Sequence, residues 1–420
     1  MSSRFVALSS RRVAIALILF TFTAVGCEEG PGGAASDVGP SRVQATDLRV
    51  VATTESITAV EDLAVLPNGT VWVLNSVEPL FLGLAPQGDI VDAHGRTGGG
   101  PEEFGAPSAF VVGGLDGEAW VFDRRRHTLI RVSSPDEPRA EVPLPRDAIP
   151  PGTVLTGMSL MGSPIRTARL GGEVLLPRRS GTGEIEAISY WTTIWDADLV
   201  AFDPETGSVR TVVELREAMG DLTSHFEGLS GGFPPFPLWY RLWAVCGDEI
   251  RLYDFVRDEL RGFTGAGVEV DPVPVPPPFT EVTPRQFARA AFDLAAAERA
   301  GAVTPGVGDM SAADSARILD GLAERLEGTP EQLGGLLPKY VDFRCADDGT
   351  MWLRPLDLER GGMRGGPAWL RITPAGETRE VLFPERFDPY RFTSERIWGV
   401  LRDELDVASV AWTEMPDEGR

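Results

Sequence analysis

The sequence predicts an all-β chain: a six-bladed β-propeller of four-stranded antiparallel blades, with a small α-helical insertion between blades four and five. Three observations predict it. A unit of apolar stretch, Gly/Asp/Asn turn and alternating strand recurs six times along the chain, and self-similarity of this kind marks repeat architectures. Most units continue into a second hairpin, and two consecutive hairpins make a four-stranded blade. The sixth unit runs out after three strands, while a strand without a unit of its own precedes the first.

In chain order, Leu63 to Leu66 leads through Asn68-Gly69 to Val71-Trp72-Val73-Leu74, and Phe110-Val111-Val112 through Asp116-Gly117 to Ala119-Trp120-Val121-Phe122-Asp123. Ile165 to Leu170 turns at Gly171-Gly172 into Val174-Leu175-Leu176, and Leu242 to Val245 turns at Gly247-Asp248 into Ile250 to Asp254. Val341 to Cys345 leads through Asp348-Gly349 to Met351-Trp352-Leu353, and Phe392 leads past Ser394-Glu395 to Ile397-Trp398. Asn-Gly and Asp-Gly supply the positive φ that tight hairpins require. Second hairpins run from Leu129 to Val142, from Leu199 to Val213 and from Trp369 to Leu382. The last unit ends at Val407 to Trp412, and Leu48-Arg49-Val50-Val51 is the strand expected to complete it and close the ring.

The segment between the first two units, Ile90 to Phe104, holds Gly95-Arg96-Thr97-Gly98-Gly99-Gly100-Pro101-Glu102-Glu103-Phe104. It resembles the linker of bacterial six-bladed β-propeller lipoproteins related to NHL-repeat propellers, whose loop typically reads Gly-x-Gly-Pro-Gly-Glu-Phe. Glu102 replaces the third glycine here. The resemblance implies a propeller in the cell envelope and marks Gly95, Arg96, Gly98, Gly100, Pro101, Glu103 and Phe104 as the motif loop; it implies no substrate.

After Val268 to Asp271 a proline-rich connector, Pro272 to Pro278, precedes a stretch with helical periodicity. Thr283-Pro284-Arg285-Gln286 and Thr329-Pro330-Glu331-Gln332 each offer a Thr N-cap, Pro at the first helical position and Gln three residues on. Ser311 is a third start, followed by an apolar face of Ile318, Leu319, Leu322 and Leu326. The insertion is placed at 280–338 and is expected to pack on the propeller rim.

The first 26 residues follow the grammar of export. Arg4, Arg11 and Arg12 precede an apolar run from Val13 to Val25, too short for the roughly 20 residues a helix needs to span a hydrocarbon core. It reads as a cleaved signal peptide. Ala24-Val25-Gly26-Cys27 resembles the bacterial lipobox, which makes Cys27 the acylated residue. Glu28 follows instead of an aspartate, favouring the outer membrane. Residues 27–46, rich in Gly, Ala, Ser and Pro, form an expected flexible tether; 47–415 is the propeller and 416–420 a tail.

The formal net charge of −23 becomes more negative once the leader's three arginines are lost, so no basic footprint for nucleic acid exists. Lys339 is the single lysine. With Cys27 lipidated, Cys246 and Cys345 remain; both end the first strand of a unit, in units four and five. An exported chain permits them to pair, although equivalent positions on diverging strands need not lie within disulfide reach.

No catalytic constellation emerges. Gly228-Leu229-Ser230-Gly231-Gly232 has the nucleophile-elbow spacing, but Gly-Phe-Pro-Pro-Phe-Pro follows where a helix must start, and His225 lies upstream. His94, His127 and His225 are the only histidines, without zinc-ligand spacing. A calcium site needs only convergent oxygens and leaves no linear motif; Glu61, Asp62 and Asn68 are its candidates, as in lactonases of the gluconolactonase kind, which share the six-bladed fold. The expectation is therefore a non-enzymatic, membrane-anchored propeller binding an envelope protein or a small molecule without a cofactor, the alternatives being a calcium-dependent lactonase and a structural subunit of an envelope complex.

Overall fold

The computed structural model describes residues 42–45, 47–52, 57, 59–100, 103–115, 117–132, 140–145, 167–179, 197–214, 242–254, 257–279, 339–360 and 366–415, with isolated positions between 282 and 320. The unit Met1–Gly39, with Cys27 and most of the expected tether, lies outside them. Among the described residues, no helix is long and apolar enough to cross a membrane.

The chain opens with β1 (Arg42–Gln44) and β2 (Arg49–Ala52). A first sheet follows: β3 (Val60–Val65), β4 (Val71–Asn75), β5 (Phe81–Leu84) and β6 (Ile90–His94). The motif segment forms a two-stranded parallel ribbon, β7 (Arg96–Thr97) and β8 (Glu103–Phe104). Next come β9 (Pro107–Val112), β10 (Ala119–Asp123), β11 (Thr128–Val132) and β12 (Glu141–Pro143). β13 (Thr167–Leu170), β14 (Glu173–Arg179), β15 (Ala197–Phe202) and β16 (Val209–Glu214) repeat that pattern. So do β17 (Trp243–Cys246), β18 (Glu249–Asp254), β19 (Glu259–Thr264) and β20 (Glu269–Pro274). The next group is β21 (Tyr340–Cys345), β22 (Met351–Pro355), β23 (Ala368–Ile372) and β24 (Thr378–Leu382). Three strands close the chain: β25 (Phe387–Phe392), β26 (Arg396–Arg402) and β27 (Ala408–Glu414).

Each group is an antiparallel meander, and the arrangement of small sheets is propeller-like. The count of separate sheets differs from the expected six blades. Four small sheets stand alone, three of four strands and one of five, while β9–β12 and β13–β16 join into one eight-stranded sheet. The cause is local: Thr167 and Ala168 pair in parallel with Val111 and Val112, bonding the first strands of two meanders together. The first strands also touch in sequence, β3 with β9, β9 with β13, β13 with β17, β17 with β21, β21 with β25, and β25 with β3.

Gly-containing turns explain why the meanders form. Leu66 N donates to Thr70 O at 2.9 Å and Gly69 N to Leu66 O at 2.9 Å, with Gly69 at φ 83°. Ala346, Gly349 and Thr350 repeat this, with Gly349 at φ 81°. A residue in the left-handed region after such a turn lets the hairpin keep its right-handed twist. Asn68 and Asp348 add an Asx bond each, to Thr70 N at 2.9 Å and Thr350 N at 2.8 Å.

Sheets stack through apolar layers. Leu63, Val73 and Leu82 meet Trp398, Val400 and Val410 between the first and last sheets. Leu74 and Phe81 meet Phe110 and Val121, and Trp120 and Phe122 meet Leu176 and Phe202. Each buried side chain of this size contributes roughly 1.5–3 kcal/mol.

One boundary moves. Arg42–Gln44, assigned to the tether, is a strand that pairs in parallel with β24, because Arg42 finds Glu380. The insertion at 280–338 lies almost wholly outside the described residues. At its start, Gln286 N donates to Thr283 Oγ1 at 3.3 Å and Thr283 N to Gln286 Oε1 at 2.9 Å, a reciprocal cap. The starts at Ser311 and Thr329 and the apolar face after them fall outside.

β2 pairs with β27 across Arg49–Trp412, Val50–Ala411 and Ala52–Val410, so the last sheet is finished by the chain's beginning. Deleting residues 28–41 should leave the urea midpoint unchanged, and extending the deletion through residue 53 should lower it steeply by orphaning β27's ladder groups. Equal midpoints for the two truncations would refute that closure.

Candidate functional site

The functional candidate is built by a backbone irregularity that repeats. β3, β21 and β25 each carry one extra residue against their partner strand: Glu61, Val341 and Tyr390. Such bulges re-aim the neighbouring side chain. Immediately after them stand Asp62, Asp342 and Arg391, which the mutual contacts of β21, β25 and β3 bring together.

Arg391 is buried and its Nη2 bonds both carboxylate oxygens of Asp62, at 2.9 and 2.8 Å. Asp62 also accepts from Leu63 N at 2.9 Å and from Phe110 N at 2.9 Å. Arg344, two residues after Asp342, forks onto it at 2.9–3.1 Å and reaches Tyr390 O at 3.1 Å. Tyr390 Oη donates to Val60 O at 3.4 Å. Arg354 adds a contact to Asp388 at 2.9 Å.

Burial lowers the pKa of Arg391, opposed by the attraction of Asp62 and reinforced by Arg344. Burial raises that of the Tyr390 phenol, helped by Asp388 and Asp62, so it remains a donor. Chemically this is a rigid, largely buried polar cluster of alternating charge, suited to orienting a polar or charged group; every charge named has an internal partner.

The motif loop is a structural staple. Glu103 accepts from Gly100 N at 2.7 Å and faces Arg96 at 3.1 Å; the Gly100 amide first, then Arg96, lowers its pKa. A Cβ on Gly98 would lie 1.9 Å from that carboxylate, so a side chain there would push Glu103 from its present position. Arg126 bonds Gly100 O at 2.7 Å and Glu103 O at 2.6 Å, while Phe104 packs on Phe81, ring centroids 4.6 Å apart. Gly95, at φ 88°, starts the loop against Phe81. Pro101 lies outside the described residues.

Of the calcium candidates, Asp62 is committed to Arg391 and Asn68 to its own turn. Among the described residues, no three His, Cys, Asp or Glu side chains are grouped to hold a metal. His94 stands edge-on to Trp72 at 5.6 Å, and His127 Nε2 lies 2.6 Å from Pro145 O. His225 and the Gly228–Gly232 stretch fall outside the described residues.

Sequence reasoning passed over Asp342, Arg344, Tyr390 and Arg391, since a bulge has no sequence signature. It also passed over a legible repeat, Asp-x-x-Arg, in which Asp123, Asp254 and Asp357 pair with Arg126, Arg257 and Arg360 after the second strand of three meanders. Asp123 accepts from the Gly105, Ala106, Arg125 and Arg126 amides at 2.6–3.1 Å.

The structure joins Cys246 and Cys345 as a disulfide, Cα atoms 5.2 Å apart and 99 residues apart in sequence. At the opposite end of β17 and β21, Tyr253 and Tyr340 meet edge-to-face at 5.4 Å, and Lys339 pairs with Asp258. These contacts tie β17–β20 to β21–β24, the two sheets that flank the insertion.

No protein-family model and no curated protein matches the chain. Its structural neighbours are β-propeller proteins. A member of the DUF4221 family from Bacteroides vulgatus has a TM-score of 0.50 and 10% identity, over 88% of this chain and 96% of the other. A putative exported protein from Bacteroides fragilis gives 0.47 and 12%, over 89% and 95%. Regucalcin from Agrobacterium tumefaciens, a calcium-binding protein, gives 0.39 and 13%, over 89% and 96%. At these identities the likeness concerns fold alone.

Two outcomes are expected. Arg391→Met should cost about 3–5 kcal/mol in urea unfolding by stranding the Asp62 carboxylate, while the double variant Asp62→Leu/Arg391→Met should recover much of it; equal losses in the two variants would show that the stranded carboxylate is not the source of the cost. Thiol titration of unfolded, unreduced mature chain should find neither Cys246 nor Cys345 reactive; two free thiols would contradict the bond.

Proposed function

We propose that this chain is an exported lipoprotein, acylated at Cys27, whose six-bladed propeller binds a protein or small polar ligand at the cell envelope without turning it over. The six-blade reading treats the eight-stranded sheet as two blades fused through β9 and β13. It is supported by the unbroken circuit of first-strand contacts from β3 back to β3. The single observation that carries the binding reading is the convergence of Asp62, Asp342, Arg344, Tyr390 and Arg391 from three bulged strands. Pre-set charges on a stiff scaffold orient a ligand without paying for reorganisation at the moment of binding. A fold this reusable does not specify chemistry, so the argument stays with these residues.

The test is a quantitative pull-down from detergent-solubilised envelope, comparing wild type with Arg344→Glu. A partner held by wild type and lost at least tenfold by the variant supports the reading. Identical profiles, or calcium-dependent lactone hydrolysis by the pure protein, would overturn it. Cys27→Ser should at the same time leave the detergent phase; partitioning equal to wild type would remove the anchor from the proposal.

A further inference from the structure

The outer edges of the meanders are not equivalent. β6, β12, β16, β20 and β2 each end their sheet, but β24 does not: β1 is added outside it. The register is parallel, Arg42 to Glu380, Val43 to Val381 and Gln44 to Leu382, and Ala45 N continues it with a 3.0 Å bond to Leu382 O.

The chemistry of this edge is specific. Glu380 is only 3% exposed although it sits on the sheet's last antiparallel strand. Arg42 Nε and Nη2 meet its two oxygens at 2.5 and 2.9 Å, while the Arg42 side chain stays 56% exposed. A buried carboxylate at a strand edge is costly unless a cation is brought to it, and a guanidinium answers both oxygens at once. Three residues further on, Ala45 is buried in the layer containing Trp352, Trp369, Val381 and Phe383. The edge thus reads an arginine and, three residues later, a small apolar residue.

The strand that fills it is held lightly. β1 is three residues long, carries two exposed residues of its three, and makes the slanted parallel pairing that is slightly the weaker kind. We infer that the outer edge of β24 is a docking edge for an extended, arginine-bearing segment of a partner protein, occupied at rest by the chain's own β1. The incoming segment would add as a parallel strand, its main chain supplying affinity and its arginine on Glu380 supplying register. Being tethered, β1 competes at an effective concentration in the millimolar range, so a partner succeeds only where β1 is weakened or the partner is itself concentrated at the same membrane. This edge lies outside the bulged-strand network, so the two proposals can fail separately.

The experiment uses the full mature chain and a fluorescent synthetic peptide of residues 40–47, read by anisotropy. Arg42→Ala weakens β1 and should bind the peptide roughly tenfold or more tightly than wild type does. A peptide with its own arginine replaced by alanine should lose that gain, as should the double variant Arg42→Ala/Glu380→Gln. The altered peptide leaves the protein untouched, so the arginine requirement is tested even if the double variant misfolds. Equal affinities for wild type and Arg42→Ala, indifference to the peptide's arginine, or no binding to folded Arg42→Ala would overturn the inference. Dimerisation of Arg42→Ala in light scattering, without peptide, would also overturn it by naming a second copy as the occupant.

Discussion

The rest of the architecture depends on the joint between the last sheet and the first. Sheets stacked face to face leave two raw faces unless the last returns to the first. Here the return is made in three ways at once. β2 finishes the last sheet with residues from the chain's beginning. An apolar layer from Leu63 to Trp412 fills the space between the two sheets. Arg391 then crosses to Asp62, a separation of 329 residues. The backbone ladder and the apolar layer supply the free energy. The ion pair supplies register, since a one-residue slip of β25 would turn Arg391 away from Asp62 and leave both charges buried and alone.

That joint also explains what could and could not be read before folding. The turns at Gly69 and Gly349 were legible because positive φ restricts residue type so strongly that the turn writes itself into the sequence. The cap at Thr283 and Gln286 was legible for the same reason: both partners sit within one turn. The unpaired Leu48 to Val51 segment announced a strand that needed a distant ladder. The bulges after Val60, Tyr340 and Pro389 were not legible, because an inserted residue costs little locally and has no preferred identity. The polar network that they aim was hidden with them. Arg391 and Asp62 are ordinary surface-type residues until the fold brings them together. β1 was misread for a related reason: Ser41 to Ala45 lacks strand propensity, and it pairs only because Glu380 waits on the edge.

The use of charge is consistent with that economy. The chain is strongly acidic, −23 overall, and several of its acids are buried: Asp62, Asp123, Asp254, Asp342, Asp357 and Glu380. Each of these has an arginine within ion-pair distance. Arginine suits the task because its planar fork can satisfy two oxygens and it keeps its charge where burial penalises ionisation. Arginines that bond backbone carbonyls as well, as Arg344 and Arg126 do, tie a carboxylate to a neighbouring segment with one side chain.

The lone lysine fits the same logic from the other side. Lys339 meets one oxygen of Asp258, and the Tyr253 hydroxyl takes the other at 3.2 Å. With one oxygen already used, a fork has no second site to match, and a point charge on a flexible stem serves as well. The consequence is positional. Asp258 O receives Val275 N at 2.7 Å, and Tyr340 Oη donates to Pro276 O at 2.6 Å. Residues 275–276 and 339–340, on either side of segment 280–338, are therefore held by one cluster, at the opposite end of β17 and β21 from the Cys246–Cys345 bond. This clamp fixes where the chain leaves β20 and where it enters β21.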